Sequence, residues 1–240
     1  MNIYVKSVLV VISIVVIALV VVILWFVRPL PSSSIPGNDF SAEHLIAHAG
    51  GGINGKTYTN SKEAVMNAID NSFRYIEVDL YKTPEGDVVC SHDSSLYKLK
   101  PIMPLREAVI IWQDKPFEFV VDKISDPQIL NQYFKTNRAH VYVETFNADE
   151  YWQLKQDGYV PMLSVGGVRG LLKYVATSIR YGKVDRIVTH YQTPDYMLRI
   201  YKRLGAKIAV YTVNDIVYLK EHIGKDVDMV YTDYIIPSKD

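Results

Sequence analysis

The sequence predicts an α/β fold: a (β/α)8 TIM-type barrel lacking its last helix, behind an N-terminal transmembrane helix. Three observations predict it. From His44 onward, short apolar runs alternate with helical patterns, the mark of a parallel sheet with helical crossovers. Eight such runs occur, the number that closes a barrel. Ahead of them, Val8 to Val27 is uncharged and almost wholly apolar, the length a helix needs to cross a bilayer.

The N-terminal run is too long for the apolar core of a cleaved signal, which spans roughly 7–15 residues. Leu24-Trp25-Phe26-Val27-Arg28-Pro29 also lacks a small-residue cleavage site. Residues 1–28 are therefore expected to form a membrane anchor, with Trp25 at an interface. A short tail carrying Lys6 usually stays in the cytoplasm, which sends the main domain to the periplasmic or extracellular side. Residues 29–43, rich in Pro and Ser, read as a tether.

Residues 44–240 are expected to form the barrel. Strands are expected at 44–49, 75–80, 117–123, 140–145, 160–165, 186–191, 207–212 and 229–234, with a short extra strand at 87–91. Helical patterns fall between them at 61–73, 105–112, 126–134, 148–157, 169–181, 194–204 and 215–223. Ser61 or Asn60 can cap the first of these helices. Gly182 and Gly205 follow helical patterns, where a helix end favours positive φ. Pro194 suits a first helical turn. The chain ends soon after the eighth strand, so an eighth helix is not expected. An open doubly wound sheet is the rival, but Ala49-Gly50-Gly51-Gly52 has the wrong spacing for a dinucleotide fingerprint.

The composition narrows function. Hydrophobic residues make up 49%, enough for a full core. The 26 basic residues match the 26 acidic ones, so no basic surplus draws the chain to nucleic acid. Cys90 is the only cysteine, which excludes an intrachain disulfide.

In a closed barrel, active groups sit at the C-terminal ends of strands. His48 ends the first strand, Glu77 and Asp79 the second, and His92 with Asp93 the short strand beside it. Asp122 and Lys123 end the third, Glu144 the fourth, His190 the sixth, Tyr211 to Asn214 the seventh, and Thr232-Asp233 the eighth. Glu77 and Asp79 are two apart and share a face. Paired carboxylates repel unless a cation or proton lies between them. With two histidines nearby, the pattern suggests metal-assisted acid–base chemistry.

The stretch resembles the glycerophosphodiester phosphodiesterase family. That family carries His-Arg-Gly, Glu-Asn-Thr, Glu-x-Asp and His-Asp in this order. The counterparts here are His48-Ala49-Gly50, Thr59-Asn60-Ser61, Glu77-Val78-Asp79 and His92-Asp93, with later echoes in Tyr211-Thr212-Val213-Asn214 and Tyr231-Thr232-Asp233-Tyr234. The likeness spans nearly all of 44–236. It implies a barrel that hydrolyses a phosphodiester with a divalent cation, Ca²⁺ or Mg²⁺. Glu77 and Asp79 would hold the metal, and His48 and His92 would exchange the base and acid roles. It further implies attack by a neighbouring glycerol hydroxyl, giving a cyclic phosphate that water then opens.

Some positions depart from the family pattern. The family's arginine, a phosphate contact, is Ala49 here. Its third carboxylate sits in Glu-x-Lys, whereas this chain has Asp122-Lys123 with no spacer. Strand alternation would send these two to opposite faces, unless a bulge or the strand end relaxes it. Asp122 is assigned to metal, with Glu144 as the rival third carboxylate. Lys123, Asn60 and Tyr211 are assigned to phosphate or substrate. Only a short stretch separates Asp93 from Phe117, where family members often carry a capping insertion. An open site is therefore expected, suited to a lysophospholipid headgroup or a glycerophosphate polymer. Two other readings stay open: a phospholipase-like enzyme that stops at the cyclic phosphate, and a non-catalytic barrel that binds a membrane or wall polymer.

Overall fold

Alternation along each strand builds the barrel. In β1 (Leu45–Ala47), Leu45 and Ala47 join the layer under the helices, while Ile46 joins a second cluster inside the barrel. The same parity runs through β2 (Tyr75–Lys82), β4 (Glu118–Asp122), β5 (Val141–Thr145), β6 (Val160–Ser164), β7 (Arg186–His190), β8 (Lys207–Tyr211) and β9 (Met229–Thr232). Tyr75, Val120, Tyr142, Met162, Val188, Ala209, Met229 and Tyr231 fill the interior with Ile46. A strand buried on both faces reads as a continuous apolar run, which is why these strands were legible.

The computed structural model describes residues 3–30, 40–97, 102–115 and 117–238, and most of the expected tether lies outside them. The eight parallel strands pair in the order β1-β9-β8-β7-β6-β5-β4-β2, and β1 also pairs β2, closing the ring. The extra strand β3 (Val88–Cys90) is antiparallel to β2. This is the expected (β/α)8 barrel.

The crossover helices are α2 (Lys62–Asp70), α4 (Leu105–Asp114), α5 (Pro127–Tyr133), α6 (Ala148–Gln156), α7 (Gly167–Tyr181), α8 (Asp195–Arg203) and α9 (Ile216–His222), with a short turn of helix, α3 (Ser94–Tyr97), after β3. Side chains fix several starts: Ser61 caps α2, Asp126 caps α5, Asn147 caps α6 and Asp215 caps α9. Among the described residues no helix follows β9. Part of that flank is closed from the N-terminal side, where the amide of Ser238 bonds the carbonyl of Phe40, a buried residue.

Ahead of the barrel stands α1 (Ile3–Val27). Among the described residues no helix is long and apolar enough to cross a membrane. The side chains of α1 are described only from Ile12, so the expected span 8–27 lies partly outside them. The last turn of α1 docks on α8: Arg203 donates to the carbonyls of Phe26 and Arg28 and lies over the Trp25 ring.

Phe119 is fully buried in β4 and meets Trp112, Phe117 and Phe134. Phe119→Ala removes this packing and should cost about 3–5 kcal/mol. Denaturant unfolding of the full chain in detergent measures it, and a loss below about 1 kcal/mol would contradict the described core.

Candidate active site

The inward parity that fills the barrel also aims its polar groups. In β2, Tyr75 points inward, so Glu77 and Asp79 do too. In β4, Val120 points inward and Asp122 follows; in β5, Tyr142 is followed by Glu144. Asp122 ends β4 and Glu144 is next to last in β5, while β2 runs on to Lys82 but its parallel pairing stops at Asp79, in register with Asp122. The result is a cavity of about 170 Å³ lined by His48, Tyr58, Glu77, Asp79, His92, Asp122, Lys123, Glu144, Phe146, Ser164, Tyr211 and Tyr231.

Each carboxyl group has a holder. Glu77 is buried and its Oε2 accepts from the Ala49 amide at 2.6 Å. Ala49 itself adopts a left-handed φ of 49°. Asp79 is bound twice by Asn60: its Oδ2 accepts from the Asn60 amide nitrogen at 2.9 Å, and its backbone N–H donates to Asn60 Oδ1 at 2.8 Å. Glu144 accepts from the Tyr231 hydroxyl. Lys123 Nζ lies 3.3 Å from Asp122 Oδ2 and 4.0 Å from Asp79 Oδ1.

Burial and mutual repulsion raise these carboxyls. Desolvation is the main cause for Glu77, with Asp79 and Asp122 adding to it, and its pKa lies well above the ordinary value. Desolvation also raises Asp79 against the opposing bond from Asn60. Glu144 is raised well above its ordinary value by burial and by Asp122. Burial pulls the Lys123 ammonium down, but Asp122 and Asp79 outweigh it and keep it charged.

Both imidazoles meet the Tyr58 ring at a steep angle. His48 meets the Tyr58 ring at 4.6 Å between centroids, and His92 meets it at 5.2 Å. His48 Nδ1 donates to Asp233 Oδ1 at 2.9 Å, so the unprotonated nitrogen of a neutral ring is Nε2. Asp233 is fixed in turn: Asn214 donates to its Oδ2 at 2.8 Å, and its own amide donates to Asn214 Oδ1 at 2.8 Å. Burial pushes the Asp233 carboxyl up, but the bonds from His48 and Asn214 outweigh it and hold it below the usual range. His92 Nδ1 lies 3.3 Å from Asp93 Oδ2 on the more open side. Gly52 brings β1 and β9 together here, since a Cβ on it would lie 2.5 Å from Tyr234 and 2.8 Å from the Asp233 carbonyl.

The structure brings together His48, His92, Glu77, Asp79, Asp122, Glu144, Lys123 and Tyr211, eight of the nine expected site residues. It corrects one expectation, that for Asn60, and decides two points the sequence left open. Asp122 and Lys123 do not part to opposite faces: β4 ends at Asp122, and Lys123 turns to a φ of 69°, so both line the cavity. Asn60 is not at the cavity wall; its amide is engaged with Asp79, so it positions a carboxylate rather than meeting substrate. Ser61, not Asn60, caps α2. The expected metal trio Glu77, Asp79 and Asp122 shares one cavity, but among the described residues no three His, Cys, Asp or Glu side chains gather closely enough to hold an ion. The donor set still suits a hard cation: it is all oxygen, buried and short of positive charge.

Sequence reasoning missed Tyr58, Asp233 as the partner of His48, and Tyr231 as the partner of Glu144. For Asp233 a signal existed, because it continues the inward parity of Met229 and Tyr231 past the end of β9. Tyr58 sits in a loop at a left-handed φ of 53°, with no periodicity to expose it. A second hollow, of about 350 Å³, lies at the opposite end of the barrel. Its Glu118 is already engaged by His140 and Arg74, so it gathers no comparable chemistry.

Fold and site thus define a (β/α)8 barrel with a carboxylate-floored cavity at the C-terminal strand ends. Solved structures that share this fold are glycerophosphodiester phosphodiesterases. One from Parabacteroides distasonis is 17% identical with a TM-score of 0.64, covering 82% of this chain and 94% of its own. One from Thermotoga maritima is 19% identical with a TM-score of 0.61, covering 81% and 95%. A phosphodiesterase from Oleispira antarctica, solved with the product sn-glycerol-3-phosphate, is 16% identical with a TM-score of 0.63, covering 81% and 96%. The chain carries the fold of that family. No family model matches the sequence, and no curated protein matches it.

The raised carboxyls set a pH dependence. Folded Glu77, Asp79 and Glu144 keep protons that the unfolded chain releases above about pH 4. Bound protons in the folded state then exceed those in the unfolded state, so stability falls as pH rises towards the raised values. Asp233 acts oppositely: its contribution is present above about pH 4 and is lost as pH falls through its depressed value. Without added metal, the thermal midpoint should decline between about pH 5 and about pH 8, and Glu144→Gln should flatten the decline. A midpoint that climbs through that range in both chains would contradict the assignment.

Proposed function

We propose that the chain is a phosphodiester hydrolase cleaving glycerophosphodiester-type bonds by histidine acid–base chemistry. The observation that carries this reading is that His48 and His92, both against Tyr58, line one cavity with Glu77, Asp79, Asp122 and Glu144. The shared fold and the ordered motifs support it, and the glycerol 3-phosphate seen in the Oleispira antarctica enzyme indicates the kind of half-product to look for.

His48 is the base. Its Nε2 takes the proton of the attacking hydroxyl, and Asp233 on Nδ1 stabilises the imidazolium that forms. His92 is the acid. It gives a proton to the leaving alkoxide, which is otherwise a poor leaving group. Lys123 stands in for the arginine that Ala49 replaces, offering one ammonium to the phosphoryl oxygens. Tyr58 and Tyr211 wall the cavity around the substrate.

Glu77 and Asp79, with Asp122 or Glu144 as the third carboxylate, would hold a divalent cation, Ca²⁺ or Mg²⁺. When bound, it supplies positive charge to the phosphoryl group as the P–O bond breaks. Asn60, the Ala49 amide and Tyr231 orient the carboxylates.

The N-terminal helix completes the reading as a single-pass membrane anchor over residues 1–28, with the barrel on the periplasmic or extracellular side. Twenty-five helical residues extend about 37 Å, against a hydrocarbon core of about 30 Å. The described side chains from Ile12 to Trp25 are largely exposed aliphatics.

A panel of phosphodiesters, assayed on the full chain with and without chelator, tests the activity. His48→Ala and His92→Ala should each lower turnover by about 10²–10⁴-fold. Chelation should abolish turnover, and Ca²⁺ or Mg²⁺ should restore it. A cyclic phosphate that accumulates unhydrolysed would replace the reading with a phospholipase-like one. No turnover of any diester with metal present would leave a binding barrel.

A further inference from the structure

The outer face of α7 is not what a barrel helix facing water presents. Its inner side, with Gly170, Tyr174 and Thr177, packs on the barrel. Its outer side carries Val168, Leu172, Val175 and Ile179, which are 67%, 65%, 39% and 81% exposed. Their spacing of four, three and four places them on one stripe. A surface helix ordinarily turns charge outward there. α7 instead holds three basic residues, Arg169, Lys173 and Arg180, and no acidic one, Arg180 being paired at 3.3 Å with Asp149 of α6. These follow one another along a single flank, about a third of a turn from the stripe. An exposed apolar stripe beside a basic flank is the pattern of a helix lying in a bilayer interface.

Both ends of α7 extend the pattern. At its C-terminal end, Trp152 of α6 stacks on Tyr181 with centroids 5.7 Å apart, the ring type that favours a membrane interface. Leu204, just after α8, shares a hollow with Val175 and Ile179. Arg203 beside it holds the last turn of α1. The stripe therefore lies next to the point where the apolar N-terminal helix meets the barrel. At its other end, α7 begins just after Ser164, which lines the catalytic cavity. Phe146 also lines that cavity and is 66% exposed. Lys173 reaches it, with Nζ 5.6 Å from the ring centroid and 3.3 Å from the Phe146 carbonyl oxygen.

We propose that α7 docks lengthwise on an anionic lipid surface, stripe inward, and that the cavity mouth at Phe146 thereby takes phosphodiesters carried by lipids in that surface. The barrel then lies on its side, tied down by α1 at one end of the patch and open to lipid at the other. The docking stands on the α7 surface alone; the substrate class rests on the proposed phosphodiesterase reading.

The test uses the full chain in phosphatidylcholine–phosphatidylglycerol vesicles. A fluorophore is placed at Leu172→Cys, or at the exposed Ile110→Cys on α4 as a control. Cys90 is buried and stays unlabelled. Brominated acyl chains should quench the Leu172 probe about threefold more than the Ile110 probe. Equal quenching overturns the docking, and energy transfer between Leu172 probes without bromine quenching assigns the stripe to a second copy instead. The double variant Leu172→Glu with Ile179→Glu should lose about tenfold in turnover of a lysophospholipid in the vesicle, with turnover of a soluble diester unchanged. Equal loss on both substrates overturns the substrate assignment. If the parent chain turns over neither substrate, the phosphodiesterase reading fails, while the quenching result still decides the docking.

Discussion

Carboxyl groups that share a cavity repel one another, and this repulsion organises the site. Glu77, Asp79, Asp122 and Glu144 all line one space. Buried carboxyl groups that share one space ionise less readily, because each charge is desolvated and repels the others. The surrounding residues read as compensation for this. Asn60 commits both ends of its amide to Asp79, Ala49 turns its backbone N–H to Glu77, Tyr231 gives its hydroxyl to Glu144, and Lys123 brings its ammonium to Asp122. None of these removes the shortage of positive charge, since Glu77, Asp79 and Glu144 remain raised. A dication bringing positive charge to this floor would serve both folding and a phosphoryl group.

The barrel supplies the geometry at little local cost. Residues two apart share a face, so the positions that fill the interior with Tyr75, Val120 and Tyr142 are continued by Glu77, Asp79, Asp122 and Glu144. His48 depends on a different device, the seam between β1 and β9. There Gly52 lets the two strand ends meet, its amide bonding the Asp233 carbonyl at 2.6 Å. That contact places the Asp233 carboxylate under His48. His92 comes from outside the ring, just after β3, which pairs with β2, and like His48 it packs against Tyr58. In the proposed reaction, a fixed, carboxylate-backed His48 suits the base and a more open His92 the acid.

Much of this was legible in the sequence because barrel strands are apolar on both faces and end in polar groups. Strand limits agree within one or two residues, and His48, His92, Glu77 and Asp79 were readable as a set. What the sequence hid depends on backbone turns and long-range pairing. Lys123 reaches the cavity only through a positive φ at the end of β4. Tyr58 reaches it from a loop, also at positive φ. The His48–Asp233 bond joins positions 185 apart, and the parity that turns Asp233 inward does not name its partner. Asn60 looked like a cap or a phosphate ligand because its engagement with Asp79 is visible only once α2 is packed. Ala49 reads in the sequence as a loss of charge; in the fold it is the residue whose amide holds Glu77.

The account turns on whether that acidic floor takes up a divalent cation in place of protons. Calorimetric titration of Ca²⁺ and Mg²⁺ into the full chain near neutral pH, repeated in buffers of different ionisation enthalpy, measures both events at once. The account predicts a single site that releases about one proton on binding, and no such site in Asp79→Asn. No cation uptake by the parent chain, or uptake with no proton released, would contradict it.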